Sequence, residues 1–94
     1  MKAYKSLVKF ALNNNATVSV FDGEEWAVKR STKYTDIINA IESVEVAELR
    51  IRDNNSDVIG WAQIIPDLDD DETVADYSIT EFMATWEKID ESWC

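Results

Sequence analysis

A chain of 94 residues with 46% hydrophobic and 30% charged content, two Gly and one Pro, is expected to form one globular domain, 1–94, and not a disordered or low-complexity segment. There is no His and only one Cys, Cys94, which excludes a histidine base, a Ser-His-Asp triad, an intramolecular disulfide and any multi-cysteine metal site. Nineteen acids against nine bases give a formal net charge of −10, so phosphate is repelled at long range and direct binding of bare nucleic acid is not expected.

Tyr4, Leu7, Val8 and Ala11 recur at helical spacing, with Lys2, Lys5 and Lys9 on the other side. Those lysines also break the continuous apolar stretch of a signal peptide, and the chain has no run of about 18 apolar residues to cross a membrane. This first helix should stop at Asn13-Asn14-Asn15. Residues 17–21 alternate as a strand, and Asp22-Gly23 opens a turn of about four residues before Trp26-Ala27-Val28, which together read as a hairpin. Ser31 or Thr32 is the expected cap of a second helix whose buried stripe is Tyr34, Ile37, Ile38, Ile41 and Val44. Residues 47–52 form a period-two strand with Glu48, Arg50 and Arg52 outward. After the turn Asp53-Asn54-Asn55-Ser56, residues 58–65 return as a fourth strand, apolar on both faces apart from Gln63 and so suited to the sheet interior.

Pro66 ends that strand. An acidic loop, 66–77, follows, and Ser78 with Glu81 spells a capping box for a last helix, 78–92. Its expected stripe is Ile79, Phe82, Met83, Trp86, Ile89 and Trp93. The expected fold is α+β, a four-stranded antiparallel sheet with three helices in the order α-β-β-α-β-β-α. With all helices on one face, the other face would carry Arg50 and Arg52.

The charge is unevenly placed. Residues 1–65 hold nine acids and eight bases, whereas 66–94 hold ten acids and only Lys88, a net of −9. Gathering like charges costs folding energy, and solubility alone does not require them in one place. Two uses compete for the run Asp67-Leu68-Asp69-Asp70-Asp71-Glu72. As an EF-hand loop it would use Asp67, Asp69 and Asp71, but its sixth position is Glu72 where Gly belongs, and its twelfth is Ser78 where a bidentate Glu belongs. No metal site and no cofactor are therefore expected. As a partner-binding surface, Asp67, Asp69, Asp70, Asp71 and Glu72, continued by Asp76, Glu81, Glu87 and Glu91, imitate a polyanion that a basic groove would accept. Glu87 and Glu91 stand one helical turn apart, a like-charge pair costing roughly 0.2–0.5 kcal/mol. Trp93, beside Asp90 and Glu91, suits an aromatic anchor at the rim. Trp26, Trp61 and Trp86 are expected in the core. Lys29, Arg30, Arg50 and Arg52 could form a basic strip, but pairing with Glu48 and its neighbours across strands is the expected outcome. No carboxylate pair stands out at catalytic separation, so no catalytic residue is assigned and the chain is expected not to be an enzyme.

Several pieces together resemble the small acidic early proteins of tailed bacteriophages, and more narrowly the dGTP triphosphohydrolase inhibitors of short-tailed phages. They are Val18-Ser19-Val20-Phe21-Asp22 leading to Trp26, Leu49-Arg50-Ile51-Arg52-Asp53, the return through Val58-Ile59, and an acidic loop before a helix with Phe82, Met83 and Trp86. The resemblance spans roughly residues 16–90. The longer connection 31–45 departs from that inhibitor, and no binding residue carries over. What the resemblance implies is a phage-type inhibitor in the host cytoplasm, bound to a host protein with a basic surface, an enzyme of nucleic acids or nucleotides. The alternative is an assembly subunit, a homodimer whose acids serve solubility.

Overall fold

The computed structural model describes residues 2–69 and 72–91, the last three by backbone alone. Eight elements follow in order: α1 (Ala3–Asn13), β1 (Thr17–Phe21), β2 (Trp26–Ser31), α2 (Tyr34–Glu42), β3 (Ala47–Arg52), β4 (Val58–Ile64), β5 (Val74–Tyr77) and α3 (Glu81–Glu91). The sheet has five strands, not four, ordered β2-β1-β3-β4-β5 with every neighbouring pair antiparallel.

The first half follows its local chemistry. α1 ends where three Asn run together: Asn14 is its C-cap and Asn15 takes φ 60°, a left-handed conformation that Asn tolerates better than most residues. In the β1–β2 turn, the Asp22 carboxylate accepts the amides of Glu24 and Glu25 at 2.9 and 2.8 Å. Those bonds, Glu25 foremost, hold its pKa below the usual value, because they favour the charged form. Gly23 supplies the φ of +102° that this turn needs.

α2 starts later than its sequence suggests. Lys33 is the N-cap and makes no side-chain cap bond. Ser31 instead turns the chain, its Oγ accepting the Lys33 amide at 3.0 Å.

Side chains alternate across the strands. Val18, Val20, Leu49, Ile51, Ala62 and Ile64 are fully buried, and they share one cluster with Tyr4, Leu7 and Val8 of α1, Ile37 and Ile41 of α2, and Met83 and Trp86 of α3. All three helices thus cover one face. Gly60 lets α3 approach β4: a Cβ there would stand 2.9 Å from Met83 Sδ.

The second half departs from the sequence reading. The acidic segment 66–77 is not all loop. Its chain turns twice, through Leu68 N to Ile65 O and Glu72 N to Asp69 O, and then Ile65 donates to Thr73 O at 2.8 Å. From there β5 pairs with β4 through Ala62–Tyr77 and Gln63–Asp76. β4 is thereby paired on both edges and lies in the sheet interior.

The capping box does not form. Ser78 is consumed by β4, its Oγ accepting the Trp61 amide at 3.0 Å and its own amide donating to Trp61 O at 2.9 Å. Thr80 caps α3 instead: its Oγ1 accepts from Met83 N at 3.3 Å and donates to Ile59 O at 2.7 Å. The helix therefore begins at Glu81, and Ile79, expected in the buried stripe, is fully exposed at 101%.

Candidate functional site

Two surfaces of opposite charge lie on different parts of the sheet. The first is an acidic edge made by the β4–β5 loop, β5 and α3. Asp67, Asp69, Glu72, Asp76, Glu81 and Glu87 are all exposed. Among the described residues the ion pair present is Lys5–Glu42 at 3.8 Å, so none of these six carboxylates is neutralised by a Lys or Arg of the same chain. Lys2, the cation beside the loop, gives its Nζ to the carbonyl of Pro66 instead.

The acidic loop is held at its far end by Thr73, which is completely buried and whose Oγ1 accepts the Tyr4 amide at 3.3 Å. That amide belongs to the first turn of α1, where Lys2 provides no side-chain cap. An orphan helix donor is thereby satisfied from a residue 69 positions away, and the loop is fixed to α1.

The carboxylates are not all brought together. Asp76 and Glu87 flank a hollow of about 420 Å³ that Ile79 and Thr80 also line. Glu81 instead borders a different hollow, of about 520 Å³, with Phe10, Phe82 and Ile59. Asp67, Asp69 and Glu72 lie on the loop. Asp70, Asp71 and Trp93 fall outside the described residues. Glu91 closes α3, and its side chain is outside the description as well. Among the described residues no group of three or more carboxylates or Cys is placed to hold a metal ion.

Sequence reasoning missed the apolar residues of this edge. Leu68 is 39% exposed in the acidic loop and Ile79 stands free beside Asp76 and Glu87. The local signal for Ile79 was its position between Ser78 and Thr80, two hydroxyl residues that both bond to β4 backbone and leave the side chain between them pointing away.

The second surface is the open face of β1, β2 and β3. Trp26, Lys29, Arg30, Arg50, Arg52 and Ser19 line a hollow of about 310 Å³. The expected pairing of these cations with Glu48 is not observed. Glu48 sits opposite Phe21 and Gln63, neither of which is charged. Arg50 instead lies over the Trp26 ring, 5.1 Å from its centroid, with Phe21 in edge contact with Trp26 at 5.2 Å. Arg52 donates to Ser56 O at 2.9 Å. The neighbouring acid Asp53 is occupied by the amides of Asn55 and Asp57 at 2.9 and 3.0 Å.

Trp26 and Trp61, expected in the core, are half-buried on this open face. Only Trp86 of the three is buried, with its Nε1 donating to Ser6 Oγ at 3.2 Å. The bulge in β2, where Arg30 has φ 46° and its amide donates to Ser19 Oγ at 2.9 Å, turns Lys29 and Arg30 toward the same hollow.

No family model matches the chain, and neither does any curated protein or solved structure. No helix of the described residues is long and apolar enough to cross a membrane.

Proposed function

We propose that this chain is a non-enzymatic inhibitor of phage type that binds a host enzyme acting on nucleic acids or nucleotides. The acidic edge is its contact surface. The β4–β5 loop and β5 meet a basic surface of the enzyme, and α3 extends the negative field. The observation that carries this reading is the exposure of six carboxylates on that edge, none of them in an ion pair among the described residues. Uncompensated like charge on a small domain destabilises the compact state. A basic partner removes that repulsion, steers the encounter and makes it salt-sensitive. Leu68, in the loop with Asp67 and Asp69, and Ile79, beside Asp76 and Glu87, add exposed apolar surface among the charges, and protein interfaces combine the two kinds of contact.

The resemblance to the phage dGTP triphosphohydrolase inhibitors names the first enzyme to test. Purified bacterial dGTP triphosphohydrolase is titrated with the chain while dGTP hydrolysis is followed. The proposal expects hydrolysis to stop near one chain per enzyme subunit, and to recover at high salt. Undiminished hydrolysis at a large molar excess of the chain removes this enzyme as the target.

A further inference from the structure

The basic hollow on the open sheet face has no part in the acidic-edge reading, and its composition is unusual for this chain. Four of the nine Lys and Arg residues line one depression of about 310 Å³ together with Trp26. In a protein of net charge −10, carboxylates outnumber cations about two to one, so four clustered cations would be expected to find acids. Among the described residues they do not. The nearby acids do not pair with them: Asp53 is used by its own turn, and Glu48, two residues from Arg50 on the same face of β3, forms no ion pair with it.

Aromatic rings share the face. Arg50 lies over Trp26 and sits directly across from Trp61 in the β3–β4 ladder. Both tryptophans are half-buried, so each keeps part of its surface in solvent. An open antiparallel sheet with aromatic rings and guanidinium planes is how proteins accept unstacked bases, while neighbouring Lys and Arg take the phosphates. The hollow is at the lower end of the volumes that hold small ligands, enough for one nucleotide of a strand.

We infer that this face binds a short segment of single-stranded nucleic acid, one base stacking against Trp26 and Arg50 and the flanking phosphates contacting Lys29, Arg30 and Arg52. The global charge does not forbid it. Charges farther apart than a Debye length, about 8 Å at physiological salt, are largely screened, and the acidic edge lies on β5 and α3, beyond β4 from this site. A duplex, whose bases are not available for stacking, is not the ligand. The inference is independent of the acidic-edge proposal, and either can fail alone.

The test uses the whole chain and a fluorescein-labelled thymidine oligomer of about eight nucleotides, within the usual site sizes, followed by anisotropy and by Trp emission. The expected result is saturable binding at low salt with quenching of Trp emission. With at most four phosphates neutralised, the log–log salt slope should be no steeper than about −2.8. R50Q/R52Q should weaken binding at least tenfold while its far-UV circular dichroism matches the wild type. D67N/D69N/E72Q should bind the oligomer at least as well as the wild type.

Any of these results overturns the inference: no anisotropy change at millimolar protein in low salt, equal affinity of R50Q/R52Q, or binding of thymidine monophosphate as tight as the oligomer. The last would mean a mononucleotide site instead of a strand-binding face. Tighter binding of a duplex than of the oligomer would also contradict it.

Discussion

Thr73 tests the structural basis of the acidic edge most sharply. It is fully buried and follows Glu72 at the end of the loop. Its Oγ1 accepts the Tyr4 amide at 3.3 Å, and its carbonyl accepts Ile65 N at 2.8 Å. Thr73→Val keeps the volume and the backbone bond but removes the hydroxyl. Leaving a buried donor unpaired costs about 1–3 kcal/mol. For a domain of this size each kcal/mol moves Tm by about 4–8 °C, so T73V should melt roughly 8–16 °C below the wild type for a mid-range loss. Thr73→Ser keeps the acceptor and loses a methyl group, a loss of about 1 kcal/mol, and should melt between the two.

Thermal melting by circular dichroism ranks the three proteins. Amide hydrogen exchange at Tyr4 reports the bond itself, and should be faster in T73V and near wild type in T73S. A T73V protein that melts within a degree or two of wild type, with Tyr4 protection unchanged, refutes the view that this hydroxyl caps α1 and fastens the acidic loop to it.

Gly60→Ala should destabilise by about 1–3 kcal/mol through overpacking, because the new Cβ meets Met83 Sδ at 2.9 Å; in denaturant melts, G60A placed in an M83A background should cost less than G60A alone. The Tyr4 phenol is buried and donates to Glu42, and burial first, then that hydrogen bond, raises its pKa above the usual value. Its stabilising effect is complete below the unfolded pKa near 10 and is lost as pH rises toward the higher folded value; absorbance titration should show one tyrosine ionising only as the chain unfolds, and Y4F should remove that phase. Asp22 has the opposite sign. Its pKa is lowered by the amides of Glu25 and Glu24, so its contribution is present above the unfolded value near 3.9 and lost as pH falls through the lower folded one; carboxyl NMR titration should place its midpoint in the folded chain below that in the unfolded chain.

How much of this was legible in the sequence depended on whether local chemistry or distant contacts decided each element. β1 and β3 carry strict alternation, and α1 ends at its three Asn, so those segments stand where their patterns place them. β5 has only four residues, Val74-Ala75-Asp76-Tyr77, and follows a run of acids, which favours a loop reading on composition. Its existence depends on the free edge of β4, a property of the sheet and not of the segment. The same cause displaced the start of α3. Ser78-x-x-Glu81 is a sound local cap, but the Trp61 backbone competes for Ser78 once β5 has brought it alongside, and Thr80 takes over.

The candidate surfaces divide in the same way. Exposure of the acids followed from their number and the scarcity of nearby bases. The basic hollow did not, because opposite charges in adjacent strands suggest pairing. The actual register sets Arg50 across from Ser19 and Trp61, and Glu48 across from Phe21 and Gln63, so pairing is lost through a phase that the sequence does not reveal.

The most direct measurement is inhibition of the target enzyme by a variant with a neutral edge, D67N/D69N/E72Q/D76N/E87Q, compared with the wild type over a range of salt. The variant must first give wild-type circular dichroism and melt no lower than the wild type, as expected when like charges are removed. Inhibition by the wild type should fade with rising salt, and the variant should not inhibit at any salt. A folded variant that inhibits as strongly as the wild type, with no dependence on ionic strength, would contradict the acidic-edge proposal.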